Sequence, residues 1–231
     1  MKIEDPYHET CRFLIFKQKN SKTDTKWQLL DYIDHDFGRY KMPKHFTFLS
    51  GGKNWLVVQT QVGSGTGFAL YNYRLFTIRN NKVVEILEFP AEGHTFNLGL
   101  PDWSSSAHII DCKIEKNTVI VEIEFAATYS TFNETDKDVL WIKKQKAVFR
   151  KDLNSGKVIL DRKKSNLSQR ELKSVYGFDS LTNEAIVKYN FEELKKISLG
   201  KDAVHKKWLQ DFLQQCEPIR EKKILQRNLS K

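Results

Sequence analysis

At 231 residues, with 40% hydrophobic and 12% aromatic side chains spread along it, the chain can build one large core, or one core and a small satellite. That excludes a disordered chain and removes any need for disulfides or metals to compensate for size. The net charge of +9 is uneven: residues 1–140 hold 16 Lys+Arg against 18 Asp+Glu (−2), and residues 141–231 hold 22 against 11 (+11).

The basic excess is therefore C-terminal, which marks either an anionic partner or solvated lysine faces. No apolar run approaches the ~20 residues that cross a bilayer. The start, MKIEDPYHET, lacks the apolar core of an export signal. The expectation is a cytoplasmic protein if Met1 is the natural start, exported only if an upstream signal was removed. Cys11, Cys112 and Cys216 are odd in number, far apart and without C-x-x-C spacing, so neither a disulfide framework nor a zinc knuckle is written here.

Up to about residue 161 the chain reads as strands. TCRFLIFK (10–17) carries Cys11, Phe13 and Ile15 on one face and Leu14 and Phe16 on the other, the pattern of a strand covered on both sides. WQLLDYI (27–33) and HFTFL (45–49) are short and aromatic. In NWLVVQTQV (54–62) the face holding Gln59 and Gln61 is the more polar, so this strand is expected to be wet on one side. Asn80-Asn81 lies between two β-rich runs and suits a tight hairpin turn. A second turn falls at Lys116-Asn117, followed by strict alternation of Val119, Val121, Ile123 and Phe125 against Glu122 and Glu124. A third passes through Asn154-Ser155-Gly156. Three short connections in a row argue for an antiparallel meander, because parallel strands need long crossovers.

The glycines of VGSGTGF (62–68) pose the main enzymatic question. A dinucleotide loop needs G-x-G-x-x-G between a strand and a helix, and an acid about 20 residues on. Gly63 and Gly65 match, and Glu85 and Glu88 stand at a suitable distance. The third glycine position is Phe68, however, the following run is aromatic and ends in the Asn-Asn turn, and no β-α-β unit follows. Nor does a Lys-Ser/Thr pair close a Walker loop. The reading is a β-hairpin, with Gly63, Gly65, Thr66 and Gly67 as a loop that could approach a ligand with bare backbone.

Other groupings are weaker. Asp34, His35 and Asp36 offer oxygen and imidazole ligands for a divalent metal, but on a strand His35 points away from the two acids. PDWSSSAH (101–108) offers serines and a histidine without a nucleophile elbow, and reads as a loop. Glu122 and Glu124 read as charges on a solvent-facing edge that discourage aggregation.

From residue 178 the period becomes helical. Asp179-Ser180 and then Asn190, with Glu193 three later, are cap signals, and Gly200 a stop. In DAVHKKWLQDFLQQC (202–216), Val204, Trp208, Leu209, Phe212, Leu213 and Cys216 share one arc with His205 in its middle, where a core histidine is expected. Pro218 opens a short basic helix. The stretch 161–177 reads as a polar connector. Lys195, Lys196, Lys206, Lys207, Arg220, Lys222 and Lys223 crowd these helices and are the candidate polyanion contacts.

The expected fold is thus α+β: an antiparallel meander over 1–165, forming a barrel, a sandwich or blade-like units, and a basic helical segment over 166–231 packed on it. No catalytic constellation and no cofactor motif is legible. The expected function is a non-enzymatic binding module whose β-domain loops, residues 63–67 and 92–106, recognise a protein or other ligand. A polyanion or nucleic-acid binder acting through the C-terminal helices, and a metal-dependent enzyme at 34–36, are the alternatives.

Overall fold

The computed structural model describes residues 10–20, 25–36, 44–95, 101–131, 138–179 and 181–230, with the backbone only at 10–12, 19–20, 25–26 and 34–36. Among the described residues, ten strands are followed by five short helices. The strands are β1 (Thr10–Asn20), β2 (Thr25–Asp36), β3 (His45–Ser50), β4 (Lys53–Gly65), β5 (Phe68–Arg79), β6 (Lys82–Thr95), β7 (Asp102–Glu115), β8 (Thr118–Ser130), β9 (Val139–Asp152) and β10 (Val158–Leu160). The helices are α1 (Gln169–Glu171, running into a π-turn, Leu172–Tyr176), α2 (Asn183–Tyr189), α3 (Phe191–Leu199), α4 (Ala203–Gln214) and α5 (Arg220–Leu229).

β3 to β10 form one eight-stranded antiparallel sheet in chain order, and β1 and β2 form a separate two-stranded ribbon. The large sheet is a continuous meander with β3 and β10 as its edges, curled but not closed into a barrel and not divided into blades. Its curl brings the β3–β4 turn back onto β7: the Ser50 hydroxyl donates to Asp111 at 2.7 Å and accepts from the Cys112 N–H at 3.1 Å.

The turns follow from their residues. Asn80 and Asn81 both adopt positive φ, 51° and 59°, the geometry of a two-residue hairpin turn that asparagine tolerates. At Lys116-Asn117 the lysine takes the positive φ, 56°. Between β9 and β10 the Asp152 carboxylate accepts from the N–H groups of Asn154 and Ser155 at 2.9 and 2.8 Å, and Gly156 closes the turn at φ 70°. The glycine-rich segment is a hairpin turn as well, β4 ending at Gly65 and β5 starting at Phe68, with Gly67 at φ 88°.

The inner face of the sheet is filled by Trp55, Val57, Leu75, Phe89, Trp103, Val121, Ile123, Phe125, Ala127 and Tyr129, and the same buried cluster continues into Leu172, Tyr176, Ile186, Leu194, Leu209, Phe212 and Leu225 of the helices. The strict alternation of β8 explains its share, with all four inward residues at 1% exposure or less. Burying a side chain of this size contributes roughly 1.5–3 kcal/mol, so the helices are held by apolar area before any polar contact is counted.

Several sequence expectations are corrected. The β4 face that carries Gln59 is not wet: Gln59 follows Trp55 and Val57 into the core, its amide nitrogen without a partner among the described residues, and Val58 and Thr60 on the opposite face are buried as well. Glu122 and Glu124 lie on a central strand, where they meet Lys146 and Lys144 of β9 and do not guard an edge. Residues 102–108 are strand, and so are 92–95, paired as Glu92↔Ser106 to Thr95↔Trp103, so the expected loop of 92–106 is mostly ladder. The polar connector holds α1 and its π-turn, with Leu167, Leu172, Val175 and Tyr176 buried. The break between α2 and α3 does fall at Asn190, but its side chain makes no cap bond and turns inward; Thr182 caps α2, and Ser180 lies outside the described residues. On α4 the arc from Leu209 to Cys216 is buried as expected, whereas Val204 is exposed.

Candidate functional site

The ribbon β1–β2 lies on the face of the large sheet opposite the core. Phe13 and Ile33 pack on Val58, Phe76, Leu56 and Val83, a small cluster separate from the main one. The Phe13 ring meets His45 edge-on, centroids 5.2 Å apart. Asp31 ties the ribbon down: its carboxylate accepts from the N–H of Val83 on β6 at 2.9 Å and from that of Tyr32 at 2.9 Å. The Val83 and Tyr32 donors hold the Asp31 carboxyl below its ordinary value of 3.8. The seat is not tight. Between ribbon and sheet runs an apolar groove of about 330 Å³, walled by Phe13, Ile15, Leu56, Phe76 and Val83 with His45 and Thr47 at its rim.

The outer face of the ribbon is apolar too, and nothing among the described residues covers it. Leu14, Phe16, Trp27 and Leu29 are 52%, 48%, 64% and 48% exposed, and Tyr32 is half exposed beside them. Register explains why they share a face. Leu14 stands opposite Tyr32, a bulge follows Ile15, and Phe16 then stands opposite Leu29 with Trp27 two residues on. Among the described residues the two-sided cover that the β1 pattern implies is thus supplied on one side.

The other expected sites have these surroundings. Gly63 and Gly65 close β4, and Thr66 and Gly67 make the turn. A Cβ at Gly65 would meet the Phe68 ring at 2.6 Å, so the bare backbone makes room for the chain's own aromatic, which stacks on Phe178 at 6.0 Å. Asp34, His35 and Asp36 end β2 opposite Arg12, Cys11 and Thr10; their side chains lie outside the described part. Among the described residues no group of three His, Cys, Asp or Glu stands close enough to hold a metal.

Of the basic residues, Lys195 and Lys196 are on α3, Lys206 and Lys207 on α4, and Arg220, Lys222 and Lys223 on α5. Lys207 is paired with Asp211 at 2.8 Å, and the Lys222 ammonium donates to the Cys216 carbonyl. His205 is not in the core. It bridges the Asp138 carboxylate at 2.7 Å and Asp202 at 3.5 Å at the surface. Burial pushes the thiols of Cys112 and Cys216 up to about 12 and about 11, which makes them poor nucleophiles.

Sequence reasoning missed a polar cluster between β9 and the helices. Glu171 accepts from the Lys143 ammonium at 2.7 Å and from the Gln145 amide at 3.0 Å, while Gln145 accepts from the Tyr176 hydroxyl at 3.1 Å. Lys143 also donates to the Tyr189 carbonyl. Beside it Asn190, fully buried, accepts from the Trp141 indole at 3.2 Å and donates to the Tyr129 hydroxyl at 3.3 Å and the Ile186 carbonyl at 3.0 Å. Burial raises both tyrosine hydroxyls well above their ordinary value, so they stay protonated. Every member is partnered, which makes this a clasp between sheet and helices. Comparison with known protein families, with characterised proteins and with solved structures finds no match to this chain.

Proposed function

We propose that the protein is a non-catalytic interaction module and that the β1–β2 ribbon is its docking element, taking a second copy of the same chain. The observation that carries this reading is the ribbon's uncovered apolar face of Leu14, Phe16, Trp27 and Leu29. An isolated two-stranded ribbon is marginal in water, and large contiguous apolar patches on a protein surface mark interaction sites. The inner face rests on the sheet over a partly empty groove, so the ribbon is under-packed on that side as well.

A second copy fits for two reasons. The four side chains that make the patch carry no charge, so a two-fold that brings the face onto itself meets no like-charge repulsion. Half of a large side chain is roughly 100 Å², so these residues on two copies, with the Tyr32 rings beside them, supply on the order of 900 Å², near the ~1,000 Å² that separates specific interfaces from casual ones. The association is accordingly expected to be weak, in the micromolar range.

Sedimentation equilibrium from about 1 to 200 μM tests this. A monomer–dimer equilibrium is expected for the natural chain, and Trp27→Ser with Phe16→Ser should shift the dissociation constant upward by at least about tenfold, the equivalent of 1.4 kcal/mol. A strictly monomeric natural chain at 200 μM, or a dimer indifferent to both substitutions, would overturn the reading.

A further inference from the structure

A second surface, independent of the ribbon, carries an inference of its own. The segment from Asp161 to Asp179 folds around an open groove of about 880 Å³ whose walls include Arg162, Arg170 and Lys173. All three are exposed, and none has a hydrogen-bond or ion-pair partner for its side chain among the described residues.

Their positive charge is left over for a structural reason. The acids that neighbour them in sequence are turned inward. Asp161 is held by Arg150 of β9 at 2.8 Å, and Glu171 by Lys143 at 2.7 Å. The backbone enforces the split. The π-turn Leu172–Tyr176 buries Leu172, Val175 and Tyr176 and sends Lys173 and Ser174 outward, while Arg170 and Lys173, three residues apart, lie on one side of the turn. A Cβ at Gly177 would meet the Lys173 carbonyl at 2.8 Å, so glycine is required where this turn ends. Asp179 is the acid on the groove wall.

We infer that this groove binds the sugar–phosphate backbone of a single-stranded nucleic acid. Guanidinium and ammonium groups spaced along an open channel suit a chain of phosphates better than one enclosed anion. The exposed Gln169 amide on the same wall offers a donor and an acceptor to base edges, and Asn166 offers its Nδ2 donor, its Oδ1 accepting from the Lys146 N–H at 2.5 Å. A lipid surface is disfavoured, because Leu167, the one apolar side chain on the wall among the described residues, is buried. With no aromatic ring on the wall among the described residues, binding should tolerate sequence and depend steeply on salt.

The test is fluorescence anisotropy with a labelled 20-nucleotide single-stranded DNA and its RNA counterpart at 50 and 200 mM salt, with unlabelled heparin and polyglutamate as competitors. The natural chain should bind at low salt and lose affinity with salt. Arg170→Ala with Lys173→Ala should weaken binding by roughly tenfold and flatten the log–log salt slope by about 1.4, from about 0.7 per lost phosphate contact. Lys195→Ala with Lys196→Ala, on a different helix, should change it by less than about twofold. Circular dichroism confirms that these surface variants fold. No binding at 50 mM salt, equal loss in both double variants, or competition by polyglutamate as strong as by nucleic acid would overturn the assignment.

Discussion

The β1–β2 ribbon and the β8–β9 pair are both long antiparallel pairs rich in large apolar residues, and the structure treats them differently. β8 sits at the centre of the sheet, with Val121, Ile123 and Phe125 in a closed core and its other face neutralised by Glu122–Lys146 and Glu124–Lys144. The ribbon has apolar residues on both faces, one resting on a small cluster and the other open to solvent. The first pair is complete within one chain. The second, on the function proposed above, is completed by a second copy, and the difference is legible in which face carries charge.

The largest effect that can break this comparison is at the core. Phe125→Ala empties a fully buried position and should cost about 3–5 kcal/mol in denaturant unfolding, whereas Phe16→Ala should change the monomer's stability by less than about 0.5 kcal/mol. Equal costs would mean that the ribbon is part of the same cooperative core.

The next effect is at the clasp. Glu171→Leu leaves the Lys143 ammonium without its carboxylate and removes the acceptor of the Gln145 amide, both at a mostly buried position. Breaking such a pair on one side should cost about 3 kcal/mol, with the helices losing protection before the sheet in hydrogen exchange. Loss of sheet protection first would show that the helices do not depend on the clasp.

A smaller, local effect belongs to Asp31. Its carboxyl is held below the ordinary value of 3.8 in the folded protein, so its contribution to seating the ribbon is full above that value and is lost as pH falls through the lower folded-state value. The ribbon amides should therefore lose protection in acid before the sheet does. Asp31→Asn should speed their exchange at neutral pH while leaving the midpoint of global unfolding in place. A ribbon equally protected at pH 3 and pH 7 would show that the Val83 and Tyr32 contacts do not hold it.

Much of the fold could be read from the chain because its signals are local. Asn80-Asn81, Lys116-Asn117 and Asn154-Ser155-Gly156 each announce a hairpin, and the alternation of β8 announces its inner face. The clasp was not legible, because Lys143, Gln145, Glu171 and Asn190 look like surface residues until tertiary pairing brings them to their partners across separations of 26 to 61 residues. His205 misled for the converse reason: its place on an apolar arc says nothing of Asp138, 67 residues earlier. The glycine-rich segment 62–68 was legible as a hairpin, but the room that Gly65 leaves for the Phe68 ring was not, because it depends on how the two arms pair. The ribbon surface was half visible, since the second apolar face of β1 implied a cover, and adding Trp27 and Leu29 to Leu14 and Phe16 would have shown how large that cover must be.

The most direct measurement is amide hydrogen exchange of residues 13–17 and 27–33 in a dilution series at neutral pH. A ribbon covered by a second copy gains protection with protein concentration, while β8 and β9 stay unchanged and the Trp27→Ser variant shows no such gain. Ribbon exchange that is independent of concentration up to 200 μM would contradict the account.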